Sequence, residues 1–314
     1  MKRIGNLYET MYEFKNIQSA FNEVCSNTRN RLKASRFKEY ECINIFRVYS
    51  TLKNRTYVPG PYNIFTIYEP KQRRIVSQNM FDKLINHLIA RHILMPAVMP
   101  SLIDTNVASR PEMGTSKGLK DYLSFRKEMK KKYGSYYILK CDIRKYFASI
   151  DHQRLKEKLE RRIKDKEALK ILDDVINSDE DGLSIGNMTS QILAIFYLND
   201  FDHFVKEELK IRYYVRYQDD FLLFHPSKAY LKECLKKIEA FLSKEKLSMN
   251  KKTRIYNSNV NFIFLGRDVY GRYAKYRTAN RKLKKRFYFY KNKAINLRRL
   301  ASSIQSFKHL RQKI

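Results

Sequence analysis

Apolar positions in the first half of the chain recur at two different periods. Residues 1 to about 55 carry apolar side chains at helical spacing and stop before Pro59-Gly60-Pro61, which predicts an N-terminal helical extension. The pattern of residues 63–76 predicts a strand, a basic turn and a second strand. A helix is predicted over residues 81–93, and the loop that follows leads into another helix from Leu119.

The second half contains strands rich in aromatic and β-branched residues. Residues 136–143 form one such run, and residues 213–217 and 221–224 form two more that close on Tyr217-Gln218-Asp219-Asp220. This arrangement predicts a β-hairpin with two carboxylates at its tip. Helical spacing predicts the remaining elements, at about 152–172, 192–205 and 229–246, and in the basic segment 272–314.

The carboxylates suggest a metal site. Asp142 lies near the end of its strand, and if that strand is next to the hairpin, Asp142, Asp219 and Asp220 converge. Hard oxygen ligands suit Mg²⁺ or Mn²⁺, and a pair of such ions serves in-line phosphoryl transfer. The predicted reaction class is nucleotidyl transfer. An Asp-Asp pair between strands is more often a solvated turn, so the prediction depends on the motifs occurring together.

Composition favours a polyanionic partner. The 314 residues include 64 Lys and Arg against 32 Asp and Glu, a formal charge of +32, with 43% hydrophobic residues. Nucleic acid fits this charge best, and an anionic membrane surface is the competitor. We find no apolar run near 18 residues and no secretory signal at the N-terminus, which favours a soluble intracellular protein. The four scattered cysteines indicate neither zinc nor disulfides.

Four further features each have a functional and a plain structural interpretation. The basic turn with Lys71, Arg73 and Arg74 can clamp a triphosphate or a template backbone, or it can be a solvated turn. Phe147 can close the space of a ribose 2′-hydroxyl or pack in the core. The loop 182–191 can cradle a base or simply begin a helix. Lys251 or Lys252 can protonate the leaving pyrophosphate or neutralise its charge, or can be a plain surface lysine.

The order and spacing of these motifs resemble those of reverse transcriptases over roughly residues 55 to 310. The residues that carry the resemblance, fingers motifs first and palm motifs after them, are Pro70-Lys71-Gln72-Arg73-Arg74, Ser109-Arg110-Pro111, Asp142 with Phe147 and Asp151, Ile185-Gly186 to Ser190-Gln191, Tyr217-Gln218-Asp219-Asp220, Lys252-Thr253 and Phe264-Leu265-Gly266.

The resemblance implies an α+β right-hand polymerase fold that makes DNA on an RNA template. An N-terminal helical extension would occupy residues 1–55 and the fingers residues 56–135. The palm, with its antiparallel sheet, would occupy 136–270 and include an insertion at about 152–181, and 271–314 would be a basic helical thumb. The implied partners are template RNA, the RNA/DNA duplex and deoxynucleoside triphosphates.

Roles follow from the same resemblance. The Mg²⁺ or Mn²⁺ ligands would be Asp142, Asp219 and Asp220, with the Ile143 carbonyl as a backbone ligand. Phe147 would be the steric gate. Lys71, Arg73, Arg74 and Arg110 would bind the nucleotide, and Gly186 and Gln191 would contact the templating pair. Lys252 would donate a proton to the leaving pyrophosphate or neutralise its charge. The primer grip would be formed by Phe264, Leu265 and Gly266.

The segment Ile185 to Gln191 is similar to the form found in diversity-generating retroelements. Reverse transcriptases of that group are bacterial or phage-encoded and cytoplasmic, copy a structured RNA with a small basic accessory protein, and misincorporate opposite template adenines. The short chain, without RNase H, maturase or endonuclease segments, agrees with this expectation. Arg267-Asp268 departs from the group's usual Tyr-Arg. The alternatives are an antiphage defence reverse transcriptase and a non-catalytic RNA-binding protein.

Overall fold

The computed structural model describes residues 3–67, 73–178, 181–268 and 276–311. The predicted N-terminal extension is helical. Its apolar positions, including Ile17, Phe21 and Val24, are buried in the main core. The extension consists of four helices, α1 (Leu7–Met11), α2 (Phe14–Asn27), α3 (Arg31–Glu39) and α4 (Glu41–Lys53).

An antiparallel hairpin follows the extension, with β1 at Asn63–Ile67 and β2 at Arg73–Ser77. Helix α5 (Met80–Leu88) begins where the Asn79 side chain accepts a hydrogen bond from the Asp82 backbone N–H at 2.8 Å, which is an ordinary N-cap. The helix continues through a π-helical turn at Ile89–Leu94 into α6 (Met95–Val98).

A four-stranded antiparallel sheet forms the centre of the molecule. Its strands are β3 (Tyr137–Asp142), β4 (Tyr213–Tyr217), β5 (Asp220–His225) and β6 (Arg254–Asn257), in the order β4-β5-β3-β6. Three of these strands are the ones predicted. The fourth, β6, was not predicted, because its Arg-Ile-Tyr-Asn sequence lacks the apolar alternation of a buried strand.

Side chains alternate between two cores on opposite faces of this sheet. On β3, Leu139 and Cys141 pack into the main core with the N-terminal helices. Ile138 packs into a smaller core on the other face, together with Leu222 and Phe224 of β5. Because alternate strand residues share a face, Lys140 and Asp142 belong to the face of this smaller core, at the end where it opens to solvent.

The remaining helices surround the sheet. They are α7 (Thr115–Tyr133), α8 (His152–Glu160), α9 (Lys166–Asn177), α10 (Met188–Tyr197), α11 (Asn199–His203), α12 (Lys228–Lys244), α13 (Tyr276–Lys291) and α14 (Leu297–Arg311). In the described parts of the chain, no helix is long and apolar enough to span a membrane.

Three predicted helix boundaries were wrong. Helix α7 begins four residues before Leu119, because Gly118 is inside the first turn and donates its N–H to Gly114. The single helix predicted at 152–172 is two helices, since Asp165 caps a new one by accepting the N–H groups of Glu167 and Ala168. The helix predicted from Ile192 begins already at Met188.

Candidate active site

The Tyr217-Gln218-Asp219-Asp220 tetrapeptide forms the predicted hairpin. Tyr217 pairs with Asp220, so Gln218 and Asp219 are the two residues of a tight turn. Gln218 has a φ of 55°, in the left-handed region that two-residue hairpin turns require at their first position. The turn therefore presents Asp219 at the tip and starts β5 with Asp220.

Strand β3 brings Asp142 to this tip. Asp142 is the register partner of Asp220, and the Ile143 N–H donates to the Asp219 carbonyl at 3.2 Å. Cross-strand partners share a face of the sheet, so Asp142 and Asp220 are on the same side. The predicted approach of strand 136–143 to the hairpin is confirmed.

Asp142 and Asp219 come into side-chain contact at the centre of this tip. The Asp142 carboxylate accepts a hydrogen bond from Asn250 Nδ2 at 2.9 Å, and its other close neighbour is the carboxyl group of Asp219. Burial, together with the negative charges of Asp142 and Asp220, raises the pKa of Asp219 to about 6. Among the described residues, no cation counters the rise in the pKa of Asp219.

Asp220 takes a different partner. Lys140 Nζ, two residues before Asp142 on β3, donates to both oxygens of Asp220 at 2.7 and 2.9 Å. As a result, the described residues contain no group of three or more His, Cys, Asp or Glu side chains close enough to hold a metal ion. The carboxylate cluster predicted from sequence is assembled in the backbone register, but not in the side chains.

The chemistry of Asp142 and Asp219 fits a divalent cation. Two carboxylates in contact, with the pKa of Asp219 raised by burial and by like charge, are stabilised in the ionised form by a hard cation. Asp142, Asp219 and the backbone at Ile143 would hold it. Asp220 would join them if its bond to Lys140 were broken.

A buried ion pair supports the turn from below. Arg216 and Asp202 are fully buried, and the guanidinium contacts both Asp202 oxygens, at 2.7 and 2.5 Å. Although burial opposes its charged form, Asp202 raises the pKa of Arg216. The same guanidinium donates to the Gln218 carbonyl at 3.0 Å. It therefore ties the strained turn residue to α11.

A chain of side-chain hydrogen bonds joins the tip to the loop 182–191. Gln218 Nε2 donates to Ser109 Oγ at 3.0 Å, and Ser109 Oγ donates to Gln191 Oε1 at 3.2 Å. The structure thus brings Gln191 and the Ser109-Arg110-Pro111 loop to the hairpin. Arg110 itself donates to the backbone carbonyls of Ile103 and Asn106, at 2.7 and 2.9 Å, which makes it a support of the loop.

Phe147 is in a 3₁₀ turn, Tyr146–Ser149, directly after the Asp142 strand. Its ring is half-buried, packs against the main core and makes an edge contact with Tyr146. Its carbonyl accepts the Leu183 N–H at 2.8 Å. Gly182 has a φ of 60°, and a Cβ there would lie 2.2 Å from the Phe147 carbonyl oxygen, so this close approach requires glycine.

Ile185 and Gly186 occupy the outer part of the same loop. Ile185 is 38% exposed. Gly186 has a φ of 130°, and a Cβ on it would lie 3.2 Å from the Val76 carbonyl. The loop therefore packs closely against β2.

Phe264, Leu265 and Gly266 form a second tight turn. Phe264 and Arg267 exchange two backbone hydrogen bonds, each 2.9 Å, and both central residues have positive φ, Leu265 at 49° and Gly266 at 82°. The Phe264 ring is buried in the smaller core, and Lys140 Nζ is 5.4 Å from its centroid. Lys140 therefore connects the predicted primer grip to Asp220.

Of the remaining candidates, the structure describes Lys252, Arg73 and Arg74. Lys252 is an exposed residue in the turn before β6, with its N–H bonded to the Asn250 side chain at 3.2 Å. Arg73 and Arg74 begin β2, opposite Ile67 and Thr66. Lys71 is outside the described residues.

Sequence reasoning missed the residues that support the carboxylates, namely Lys140, Asn250, Arg216 and Asp202. Lys140 had a usable signal, because it shares the strand face of Asp142 two positions away. Asn250 had none, since it is 108 residues from Asp142. Arg216 is only two residues from Gln218 and 14 from Asp202, but no local sequence pattern shows that these groups are buried together.

The sequence matches one known protein family. Residues 66–269 match the reverse transcriptase (RNA-dependent DNA polymerase) family, over more than half of the chain. The chain belongs to the reverse transcriptase family. No curated protein shows a significant sequence match.

Similar solved structures include two telomerases. The telomerase of Candida albicans, solved with a TWJ fragment of telomeric RNA, aligns over 69% of this chain and 45% of its own, at 15% identity and a TM-score of 0.50. An apo telomerase from Candida tropicalis, truncated from its C-terminal domain, aligns over 73% of this chain and 58% of its own, at 17% identity and a TM-score of 0.50. The chain spans about half the length of these telomerases. At this identity the likeness shows the fold, and it confirms the predicted α+β polymerase fold.

Proposed function

We propose that this chain is an RNA-directed DNA polymerase that joins deoxynucleoside triphosphates to a primer on an RNA template. One observation carries the proposal: Asp142 and Asp219 are in contact at the open end of an antiparallel sheet, with Asp220 in register beside them. Membership of the reverse transcriptase family supports it. A purely RNA-binding surface has no use for carboxylates that repel phosphate.

Each side chain at the tip has a definite task in this proposal. Divalent cations, when bound, would polarise the transferred phosphoryl group and stabilise its charge. Asp142, Asp219 and Asp220 would hold them, with the Ile143 carbonyl. Asn250 fixes the orientation of Asp142 through its 2.9 Å hydrogen bond. Arg216 holds the turn that aims Asp219.

The other predicted roles belong to the same proposal. Phe147 acts as the steric gate against ribonucleotides. The incoming nucleotide and the template are bound by Lys71, Arg73, Arg74, Arg110, Gly186 and Gln191, and Lys252 serves the leaving pyrophosphate. Residues 56–135 serve as fingers, 136–270 as palm and 271–314 as a basic thumb over the RNA/DNA duplex.

The substrate class is tested by primer extension on an RNA template with Mg²⁺, supplying one nucleotide at a time. We expect extension with the complementary deoxynucleotide and little with the matching ribonucleotide. Phe147→Ala should accept the ribonucleotide, because the space beside the ribose opens. Equal use of both nucleotides by the wild type would contradict the proposed DNA polymerase.

We also propose that the enzyme belongs to the diversity-generating type, works with a structured template RNA and a small basic accessory protein, and copies adenines with errors. The exposed Ile185 supports this, because its alkyl group offers no hydrogen bond to a template or nucleotide. Ile185→Gln should lower misincorporation opposite adenine, whereas Ile43→Gln, on the exposed face of α4, should leave it unchanged. An unchanged error spectrum in Ile185→Gln would contradict the role given to Ile185.

A further inference from the structure

A cavity of about 590 Å³ lies between the N-terminal extension, β1, β2, α5 and the loop before α10. Its volume is in the range of small-molecule sites, roughly 300–1,000 Å³. One part of its wall is polar and basic, with Asn30, Lys33 and Lys83. Another part is apolar, with Phe65 and Ile75. The cavity therefore suits a ligand that has an anionic group and a flat apolar face.

Lys33 and Lys83 both donate to neutral oxygen atoms. Lys33 Nζ donates to the Gln78 carbonyl at 3.4 Å, and Lys83 Nζ donates to Thr28 Oγ1 at 2.7 Å. Both acceptors are neutral, and within the described parts of the chain neither lysine forms an ion pair with a carboxylate. Burial and the neighbouring charge of Lys33 lower the pKa of Lys83. A phosphate between the two ammonium groups would relieve this repulsion.

The apolar wall offers a surface for a base. Phe65 on β1 is 44% exposed although it is a large aromatic residue. Bases stack on such side chains regardless of their identity. Asn187 and Gln191 add polar groups to the cavity edge.

The cavity is connected to the candidate active site through the loop before α10. Gly186 and Gln191 line the cavity, and Gln191 is hydrogen-bonded through Ser109 to Gln218, the neighbour of Asp219. Asn30 and Lys33 precede residue 66, where the match to the reverse transcriptase family begins. Helix α3 and its N-cap residue Asn30 therefore contribute to a pocket that Gly186 and Gln191 also line.

We propose that this pocket binds one unpaired nucleotide of the RNA strand that has not yet been copied, with its phosphate between Lys33 and Lys83 and its base against Phe65 and Ile75. The proposal rests on the proposed polymerase function, because a template whose paired base lies by Gly186 and Gln191 must continue beyond them. A free nucleoside phosphate has the same chemistry, and the experiment distinguishes the two sources.

The test measures binding of two primer–template duplexes by fluorescence anisotropy. In one, the RNA ends at the templating nucleotide, and in the other it continues as a short single strand. We expect Lys33→Gln to weaken binding of the longer RNA by roughly fivefold, as for the loss of one partly exposed charge contact, and to leave the shorter one unchanged. The double variant Lys33→Gln/Lys83→Gln should lose more. The control is Lys38→Gln, which removes the same charge from α3 outside the cavity.

Two results would overturn the inference. One is that the wild type and Lys33→Gln each bind the two duplexes with equal affinity, or that Lys33→Gln loses the same affinity for both duplexes. The other is binding of free adenosine monophosphate that depends on Lys33 and Lys83, together with no preference of the wild type for the longer RNA, which would make the pocket a free-nucleotide site. Extension of the shorter duplex by the wild type tests the polymerase function separately, so failure of one proposal is distinguishable from failure of the other.

Discussion

Asp142 and Asp220 stand opposite each other on the antiparallel strands β3 and β5, and the carboxyl group of Asp142 is in contact with that of Asp219. Lys140 holds the Asp220 carboxylate through two hydrogen bonds. A cation and Lys140 would therefore compete for the same carboxylate.

Lys140→Met should alter the metal dependence of the enzyme. Because the competing ammonium is gone, we expect half-maximal primer extension at a lower Mg²⁺ concentration. The lost ion pair is partly exposed, so the free energy of unfolding should fall by no more than about 1 kcal/mol. Lys140→Arg keeps the charge and serves as the control. An unchanged Mg²⁺ titration in Lys140→Met would refute the competition.

Asn250→Ala should slow the chemical step. The Asn250 amide donates to Asp142 at 2.9 Å, and its removal leaves that carboxylate free to rotate. We expect a single-turnover extension rate about tenfold lower, the size of a lost hydrogen bond to a charged group. Asn259→Ala, in the exposed turn after β6, should retain the wild-type rate. Wild-type turnover in Asn250→Ala would show that Asp142 needs no such support.

Gly182→Ala should displace Phe147, the proposed steric gate, without altering a carboxylate. Its Cβ would lie 2.2 Å from the Phe147 carbonyl oxygen, at a φ of 60°. The strain should lower the free energy of unfolding by about 1–3 kcal/mol and shift Phe147, which would raise ribonucleotide incorporation. Gly134→Ala also has a positive φ but nothing within 4 Å, so it controls for backbone strain alone. Equal effects of the two substitutions would contradict the contact.

Asp165→Ala should weaken the attachment of the N-terminal extension to α9. The Asp165 carboxylate caps α9 and also accepts the N–H groups of Leu7 and Tyr8, at 2.8 and 2.9 Å. Burial alone would raise its pKa, but these backbone donors outweigh burial and lower it. We expect a loss of about 1–2 kcal/mol in the free energy of unfolding at neutral pH.

The pH dependence of that loss has a definite sign. Because the folded pKa of Asp165 is depressed, its stabilisation is fully present above the unfolded value of about 4 and disappears as pH falls through the folded pKa. Urea unfolding of wild type and Asp165→Ala should give a constant difference from neutral pH down to about pH 5. The difference should shrink below about pH 4. A constant difference at all pH values would exclude the ionised carboxylate as the cause.

The strands that carry Asp142, Asp219 and Asp220 could be predicted because their signals are local. Strand periodicity around Asp142 and around the Tyr217-to-Asp220 hairpin is visible within ten residues. It does not reveal that Asn250 would orient Asp142 or that Asp202 would neutralise Arg216, because folding creates those contacts between distant segments. The burial of Phe264 beneath Lys140 has the same origin.

The most direct measurement is primer extension on an RNA template with Mg²⁺ by wild type, Asp142→Asn and Asp219→Asn, beside Asp173→Asn in α9, whose carboxylate pairs with Lys156. We predict metal-dependent DNA synthesis by the wild type and by Asp173→Asn, and a rate at least roughly a hundredfold lower in the other two, because each removes a charge that holds the cation. Undiminished synthesis by Asp219→Asn, with the wild type active, would contradict the assignment of the active site.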